Sequence, residues 1–285
     1  MNVAATARWI ESRISSLYDD EECAAIAREL LLYQLQAEKK DWSRIQQSPL
    51  TQEMSTMLEQ QVNRLLNKEP LQYVLREAWF SGFRFIVEPG VLIPRPETEE
   101  LVEWVISNCK FPVENLEILD VGTGSGCIAI SLKRRIRSAK VWALEKSSAA
   151  LHIAEQNAIA LGASINFIHQ DLFNQLDWQR LPNLDFIVSN PPYVTPVEKK
   201  EMAPQVLEFE PAEALFTPSE DPLLYYRALA SLFLEKKKKS ESQLFCEINP
   251  RYAGQLSQVW KEMGLRCEIK LDMQGKERMI RAWMA

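Results

Sequence analysis

The fold is decided by residues 118–126, which read Ile-Leu-Asp-Val-Gly-Thr-Gly-Ser-Gly. The apolar run predicts a buried strand, and the alternating glycines predict a sharp turn whose backbone can approach a ligand closely. The sequence that follows predicts a helix, and the first turn of a helix presents free N–H groups. The pattern is not the dinucleotide fingerprint, because Cys127 stands in place of its third glycine, and no Gly-Lys-Ser/Thr follows as in a P-loop.

Downstream of this turn the chain alternates between strand and helix patterns. Such alternation predicts a parallel, doubly wound sheet in an α/β fold. The last two strand segments are close in sequence, so we expect them to pair antiparallel at the sheet edge. The predicted strands cover residues 116–121, 140–144, 165–168, 184–188, 243–248, 267–271 and 279–283, and the predicted helices between them cover 128–136, 149–161 and 253–263.

Length and composition are those of an ordinary globular protein. The 285 residues carry a net charge of −6, which gives no strong basic field for attracting nucleic acid. The five cysteines are scattered and only two histidines are present, so neither a metal centre nor a Ser-His-Asp triad is supported. We see no signal peptide and no long apolar run, so we expect a cytoplasmic location without membrane contact.

Residues 3 to about 68 show helical periodicity. Apolar side chains recur three or four residues apart in three stretches, and the acidic run 19–22 suits the start of the second helix. No glycine occurs before Gly82. The pattern predicts a small helical bundle, which is either a packing appendage or a surface that recognises a macromolecular partner.

Two segments connect this bundle to the alternating region. Residues 78–87 are rich in aromatic side chains and are interrupted by Ser81-Gly82, which predicts a hairpin. Residues 91–99 read Val-Leu-Ile-Pro-Arg-Pro-Glu-Thr-Glu, in which the prolines enforce extended backbone and Thr98 with its neighbouring acids suits a helix start. We expect this second segment either to line the site or to be a rigid linker.

A second motif, Asn190-Pro191-Pro192-Tyr193, follows the predicted strand 184–188. Its prolines end the strand and stiffen a loop at the carboxyl edge of the sheet, where open α/β folds bind ligands. The side-chain oxygen of Asn190 and the carbonyl of Pro191 can accept hydrogen bonds from a flat NH2 group, with the Tyr193 ring covering it. A proline-stiffened turn is the competing interpretation.

Acidic residues at the ends of the next two strands fit a bound nucleoside. Glu145 ends the second strand, where an acid can accept hydrogen bonds from both ribose hydroxyls. Asp171 ends the third strand and can accept a bond from an adenine NH2, with Leu172 packing on the ring. Each acid alone suits a solvated strand end, but their order after the glycine turn favours a binding site.

The glycine pattern resembles the first motif of Rossmann-like S-adenosylmethionine methyltransferases. Together with Asn-Pro-Pro-Tyr it resembles the amino-methyltransferases, which include DNA adenine and cytosine methylases, RNA guanine methylases and protein glutamine methylases. The flanking sequences 70–73, 79–82, 91–99 and 189–193 narrow the resemblance to bacterial HemK-type release factor glutamine methyltransferases. Further matching positions are Glu210, Pro211, Ala214, Leu215, Asp272, Gly275 and Arg278.

The resemblance spans about residues 65–285 and implies three parts. These are an N-terminal helical substrate-recognition domain at 1–75, a linker with a hairpin at 76–92, and a methyltransferase domain at 93–285 with a mostly parallel seven-stranded sheet. It also implies S-adenosyl-L-methionine as cofactor, S-adenosyl-L-homocysteine as product, and no metal. The implied cofactor-binding residues are Asp120, Gly122, Thr123, Gly124, Ser125, Gly126, Glu145, Asp171, Leu172 and Asn190.

The implied substrate is the glutamine of the Gly-Gly-Gln tripeptide in class-1 peptide chain release factors, methylated at N5. The implied catalytic residues are Asn190, Pro191 and Tyr193, and Pro192 joins them in the substrate site. Alignment of the amide with the methyl donor would supply most of the rate. A strong base is not required before transfer, because the proton on the nitrogen is far more acidic afterwards, so the lack of a nearby histidine does not count against this chemistry. We expect a monomer without a stable nucleic-acid partner.

The sequence departs from the family pattern at three positions. Arg76 and Pro222 stand where the family usually has glycine, and Asn249 replaces the glycine expected after Glu247-Ile248. All three lie outside the two central motifs. They therefore put local loop geometry in question more than the chemistry.

Three other functions are weighed against this one. A nucleic-acid amino-methyltransferase could use the same motif on a flipped base, and the lysine run 236–239 favours it unless that run is a solvated loop. The acidic stretches 208–210 and 220–221 oppose it. A non-catalytic binding module is opposed by the intact motifs, and a nicotinamide oxidoreductase by the glycine spacing.

Overall fold

The computed structural model describes residues 1–109, 115–217 and 220–284. The chain divides into two compact units, Met1–Glu77 and Ala78–Ala285. None of the helices in the described ranges is long and apolar enough to cross a membrane. The three-part division at residues 75 and 92 stays a prediction.

The first unit is helical, as predicted. Asn2, Asp19 and Thr51 cap its three longest helices, because each side chain accepts a backbone N–H of the first turn. The apolar faces of these helices pack together into one core. The helices are α1 (Val3–Ile14), α2 (Asp20–Gln34), α3 (Trp42–Ile45), α4 (Gln52–Leu66) and α5 (Leu71–Leu75).

Helix α5 extends this unit beyond the expected end of the helical region. The helical periodicity ends near residue 68, but Pro70 directly precedes a further helix. Arg64 holds the connection, because its guanidinium forms two hydrogen bonds to Glu69 and a third to the carbonyl of Val74. Glu69-Pro70 therefore forms a turn between α4 and α5 and does not end the bundle.

A two-stranded sheet lies at the start of the second unit, as the hairpin prediction requires. Its strands are β1 (Glu77–Phe80) and β2 (Phe83–Ile86), with Ser81 and Gly82 between them at positive φ. Phe80 and Phe85 meet edge to face at 6.0 Å and are buried in the core of this unit. The hairpin therefore contributes to a core as well as connecting two parts of the chain.

The main sheet of the second unit has seven strands within the described residues. Their order is β5-β4-β3-β6-β7-β9-β8; the five from β5 to β7 pair in parallel, and β9 runs antiparallel to both of its neighbours. The parallel sheet with an antiparallel edge is confirmed. The strands are β3 (Glu117–Val121), β4 (Lys140–Glu145), β5 (Ile165–His169), β6 (Phe186–Ser189), β7 (Gln243–Glu247), β8 (Leu265–Leu271) and β9 (Glu277–Met284).

Helices cover both faces of this sheet, because its strands are apolar on both sides. Leu119 and Ile187 face one apolar cluster, whereas Ile118 and Val188 face the other, as the two-residue period of a strand requires. The helices are α6 (Pro96–Ser107), α7 (Cys127–Arg135), α8 (Ser148–Ala160), α9 (Pro204–Phe209), α10 (Ala212–Leu215), α11 (Leu224–Lys236) and α12 (Ala253–Glu262).

The lysine run 236–239 has partners within the fold. The Nζ atoms of Lys238 and Lys239 lie 3.2 and 3.4 Å from the carboxylate of Asp185, which is buried. Lys236 is itself buried at the end of α11. Since a buried carboxylate requires a partner, this run neutralises an acid of its own sheet. It is therefore neither a purely solvated loop nor an uncommitted basic patch.

Candidate active site

The two sequence motifs meet because β3 and β6 are neighbours in the sheet. Val121 pairs with Ser189, so Gly122 and Asn190 are the next residues at two adjacent strand ends. The hydroxyl of Ser189 donates to the carbonyl of Val121 at 2.8 Å, which fastens these ends together. The strand order reverses between β3 and β6, and open α/β sheets bind ligands at such a reversal.

A cavity of about 480 Å³ opens at this edge of the sheet. Its wall is formed by the ends of β3, β4, β5 and β6 together with residues 90–92 and 211–214. The lining role predicted for the segment 91–99 is confirmed for Val91 and Leu92. The predicted site residues on the wall are Gly122, Gly124, Glu145, Asp171, Leu172, Asn190, Pro191 and Pro192.

The glycines of residues 122–126, called the glycine turn below, have two different functions. Gly122, Gly124 and Gly126 all have positive φ, which favours glycine. A Cβ on Gly122 or Gly124 would meet no atom within 4 Å, whereas a Cβ on Gly126 would lie 2.9 Å from Ile130 and 3.2 Å from Ala154. The first two therefore leave space on the cavity side, and the third permits close packing of α7 against α8.

Asp120 lies beneath the glycine turn and not on the cavity wall. Its Oδ2 accepts hydrogen bonds from the hydroxyl of Thr123 at 2.6 Å and the backbone N–H of Ala129 at 3.2 Å. Burial raises the pKa of the Asp120 carboxyl to about 7. Thr123 and Ser125 are also buried within the turn. These residues shape the turn, and their contact with a cofactor stays a prediction.

Two carboxylates reach the cavity wall from the neighbouring strands. Glu145 accepts the backbone N–H of Gly124 on one oxygen and that of Ser147 on the other, both at 2.9 Å. Each oxygen retains a lone pair for a ligand, since a carboxylate offers about four acceptor positions. Asp171 is exposed beside the buried Leu172, so a charged and an apolar surface adjoin here.

Asn190 is held in place by residues far away in the sequence. Its Nδ2 donates to the hydroxyl of Thr98 at 3.1 Å, and that hydroxyl donates to Glu247 at 2.7 Å. Thr98 is the third residue of α6, which begins at Pro96; the predicted helix start at Thr98 is therefore two residues late. Proline suits this first position because it needs no N–H partner there.

Tyr193 lies outside the cavity wall. Its hydroxyl donates to Glu247 at 2.9 Å, and its ring packs against the core cluster on that face of the sheet. Burial, followed by the nearby charge of Glu247, raises the pKa of Tyr193. In this arrangement Tyr193 fixes residues 190–193, the Asn-Pro-Pro-Tyr loop. Its stacking on a substrate amide stays a prediction.

Asn249, one of the three departures, adds a further tie to this loop. Its Nδ2 donates to the carbonyl of Tyr193 at 3.2 Å and to Glu198 at 2.9 Å, while its Oδ1 accepts the N–H of Arg251. Its φ of −75° places no demand for glycine on this position. The departure therefore leaves the local backbone unstrained and adds hydrogen bonds that a glycine could not make.

Comparison with known proteins identifies the family. A PrmC N-terminal domain model matches residues 6–75, and a Methyltransferase small domain model matches residues 99–218. A release factor glutamine methyltransferase from Bacteroides thetaiotaomicron is 39% identical, covering 96% of this chain and 97% of its own. This protein belongs to the release factor glutamine methyltransferase family. A member from Flavobacterium psychrophilum is 42% identical over 76% of each chain.

The fold of this family member is shared with a more distant solved structure. The hMettl16 catalytic domain, in complex with MAT2A 3′UTR hairpin 6, has a TM-score of 0.55 at 15% identity. The similarity covers 70% of this chain and 74% of that one. At this identity the likeness concerns the methyltransferase fold alone.

The cavity of this methyltransferase fits a nucleoside-containing methyl donor. The space above Gly122 and Gly124 is open, Glu145 offers acceptors for hydroxyl groups, and Leu172 offers an apolar surface for a ring. A volume of about 480 Å³ lies in the range of small-molecule sites.

Two sets of contacts that hold the walls of the cavity together were not predicted from the sequence. Arg95 pairs with the buried Glu210 at 2.5 Å, and Glu210 also accepts the N–H of Ile93, which joins the segment 91–95 to the wall at 211–214. Asn157 in α8 donates to the carbonyls of Ser125 and Ile86. A polar residue on the apolar face of a helix was the available signal for Asn157.

Proposed function

We propose that this protein transfers a methyl group from S-adenosylmethionine to the side-chain nitrogen of glutamine in the Gly-Gly-Gln motif of class-1 peptide chain release factors. The names of its relatives support the substrate. The observation that carries the proposal is the position of Asn190 on the cavity wall, beside the glycine turn. An amide-binding group thus adjoins a site that suits the methyl donor.

Residues of the glycine turn and the neighbouring strand ends would hold the cofactor. S-adenosylmethionine supplies an electrophilic methyl group on its sulfonium sulfur when bound. Glu145 would accept hydrogen bonds from the ribose hydroxyls, while Asp171 and Leu172 would receive the adenine. Gly122 and Gly124 let the backbone approach the cofactor closely. The predicted residues behind the wall, Asp120, Thr123, Ser125 and Gly126, maintain the shape of the turn.

Asn190 and Pro191 form the amide clamp, which binds the glutamine side chain. An amide nitrogen is a weak nucleophile because its lone pair is shared with the carbonyl. When the side-chain oxygen of Asn190 and the carbonyl of Pro191 accept its two N–H groups, the nitrogen is fixed and gains electron density. Pro192 stiffens the loop behind the clamp. Alignment of this kind can supply about 7–11 kcal/mol of the barrier at best.

No general base is needed before methyl transfer. The proton on the nitrogen becomes far more acidic once the methyl group is attached, so it can leave afterwards. Glu247 is the buried acid nearest the clamp in this network, but its two oxygens accept hydrogen bonds from Thr98 and Tyr193. Glu247 therefore holds the Asn-Pro-Pro-Tyr loop in place and does not act as a base.

The helical first unit is proposed to recognise the release factor. Its match to the PrmC N-terminal domain supports this assignment. Hydrogen exchange on the whole protein tests it: adding a release factor should protect amides within residues 1–75. Unchanged exchange throughout this unit, with protection elsewhere, would contradict the assignment.

Methyl transfer from labelled S-adenosylmethionine to a purified release factor tests the proposed function. The controls are the same factor with Gly-Gly-Ala and a mixed pool of tRNA and DNA. Label on the Gly-Gly-Gln form alone is the expected result. Label on nucleic acid with none on the release factor would establish the alternative amino-methyltransferase, and cofactor binding without any label would leave the binding module.

A further inference from the structure

We propose that Glu247 acts through Thr98 to determine which end of the Asn190 side-chain amide faces the cavity. The inference rests on the proposed function, because it concerns the same amide clamp. Glu247 and Thr98 would be positioning residues, since neither lies on the cavity wall.

The three side chains form a continuous chain of hydrogen bonds. It runs from Nδ2 of Asn190 to the hydroxyl of Thr98 at 3.1 Å and on to Oε2 of Glu247 at 2.7 Å. Thr98 and Glu247 are almost completely buried, with 2% and 1% of their surface exposed. Water therefore has little access to replace either partner. The direction of each hydrogen bond is set by the three side chains themselves.

The direction of this chain follows from the number of hydrogens available. An ionised carboxylate can only accept hydrogen bonds, so Glu247 requires that Thr98 donate its single hydroxyl hydrogen. Thr98 then has only lone pairs left for Asn190 and must accept. The NH2 end of Asn190 is the end that can donate, so its oxygen is turned away from Thr98.

This orientation matters because the two ends of an asparagine amide have nearly the same size. Either end could face the cavity on steric grounds, but only the oxygen can accept an N–H group of a substrate amide. A reversed Asn190 would place an NH2 group against the substrate NH2, with donors opposed. The carboxylate thus specifies a functional orientation that shape alone leaves open.

Groups on several helices and strands around Glu247 change the pKa of its carboxyl. Burial raises the pKa of Glu247, and nearby Glu97 on α6 raises it further, while bonds from Thr98 and Tyr193 and the charge of Arg278 on β9 lower it. A protonated Glu247 could donate to Thr98, which would free Thr98 to donate to the oxygen of Asn190. The chain of bonds would then run in the opposite direction.

Thr98→Val and Thr98→Ser form the matched pair that tests the proposal. Valine has the shape of threonine without its hydroxyl, whereas serine keeps the hydroxyl. We expect Thr98→Val to lower kcat about 10- to 100-fold while KM for the release factor changes little. Thr98→Ser should retain most of kcat. Binding of S-adenosylhomocysteine by calorimetry shows whether both variants keep a folded cofactor site.

A spectroscopic measurement keeps the test independent of the substrate. In protein labelled on asparagine nitrogen, the NH2 resonances of Asn190, assigned with Asn190→Ala, should shift and exchange faster in Thr98→Val but not in Thr98→Ser. Coincident resonances in wild type and Thr98→Val would overturn the proposal whatever the enzyme methylates. Equal kcat losses in the two variants would overturn it as well. A wild type that leaves the release factor unmethylated contradicts only the proposed function.

Glu247→Gln is the second variant, and the quantity measured is the pH dependence of its kcat. In the wild type, kcat should fall as the pH drops through the raised pKa of Glu247, because protonation removes the requirement that Thr98 donate. The glutamine of the variant carries no titrating charge, so kcat of Glu247→Gln should be lower and should lack this acidic limb. An identical acidic limb in both proteins would assign the titration to another group and contradict the role of Glu247.

Discussion

The glycine turn and the Asn-Pro-Pro-Tyr loop lie at adjacent strand ends and line one cavity. They differ in how far along the sequence the residues that hold them lie. The shape of the turn is set mainly by local features, positive φ at its three glycines and Asp120 only a few residues away, to which Glu145 and Asn157 add hydrogen bonds from later in the chain. The loop is fixed by side chains that are remote in sequence: Thr98, Glu247 and Asn249. The conformation of a glycine turn can thus be encoded largely in one short stretch, whereas the orientation of the Asn190 side chain depends on residues from several parts of the fold.

Removal of the clamp side chain should have the largest effect. Asn190→Ala deletes the acceptor for the substrate amide, and we expect methyl transfer to fall by at least about 10²–10³-fold, the cost of one transition-state contact. Cofactor binding should persist, because the glycine turn does not depend on Asn190. Labelled-methyl assays and calorimetry measure the two quantities.

Asn166→Ala is the matched control for this change. Asn166 also donates through its amide, but to the carbonyl of Val141 on the neighbouring strand β4 and away from the cavity. Its activity should stay near that of the wild type. Comparable turnover in Asn190→Ala and Asn166→Ala would show that the clamp is not the basis of transfer.

Alanine at the last glycine of the turn should have the next largest effect, on stability. Gly126→Ala combines left-handed strain with a Cβ 2.9 Å from Ile130, so we expect a loss of about 3 kcal/mol in the free energy of unfolding. Gly124→Ala adds a Cβ in open space, so its loss should be about 1 kcal/mol.

Cofactor affinity distinguishes these two glycines further. The new methyl group of Gly124→Ala would occupy cavity space, and we expect weaker S-adenosylhomocysteine binding in a variant that remains folded. Urea unfolding and calorimetry measure both properties. Equal stability losses at Gly124 and Gly126 would contradict the division into a packing glycine and a cavity glycine.

Restoring the family glycine at Asn249 should have a moderate effect. Asn249→Gly removes the donor shared by Tyr193 and Glu198, and we expect a loss of about 1–2 kcal/mol in stability. Asn249→Ser keeps an acceptor for the N–H of Arg251 but lacks the amide donor. The serine variant should therefore recover only part of the loss, and full recovery would assign the effect to capping alone.

The pH dependence of the Asn249→Gly effect has a defined sign. Burial raises the pKa of Glu198, but the bonds from Asn249 and Thr195 outweigh it, so the pKa is lowered overall. Stability from this carboxylate is therefore present above its unfolded pKa and lost as the pH falls through its folded pKa. The gap between wild type and Asn249→Gly should be largest at neutral pH and should narrow in acid.

The smallest effect is expected at Arg76. This position, away from the cavity, tests the energetic cost of a positive φ at a residue other than glycine. Arg76 follows α5 with a φ of +57°, a conformation that favours glycine. Arg76→Ala and Arg76→Gly both lack the side chain, so their difference reports the backbone alone. We expect the glycine variant to be more stable by about 1 kcal/mol in urea unfolding, and equal stabilities would contradict a backbone cost.

The contrast explains what the sequence could predict. Strands, the glycine turn and the ligand-binding edge follow from local periodicity and turn chemistry, so they could be read directly. The hydrogen bonds from Asn190 to Thr98 and from Thr98 to Glu247 could not be predicted in this way. These residues are far from Asn190 in the sequence and come near it only in the folded protein. The hydrogen bond from Tyr193 to Glu247 could not be predicted either, since it depends on the order of the strands in the sheet.

The position of β9 between β7 and β8 also affects how the enzyme is made. Residues 277–284 follow every other strand in the sequence, so on the ribosome the strand that covers the outer edge of β7 is the last strand to be made. An uncovered strand edge can pair with other chains. Glu247 lies on β7 and Arg278 on β9. Until β9 pairs with β7, this edge stays open and Glu247 lacks the nearby charge of Arg278, which lowers the pKa of its carboxyl.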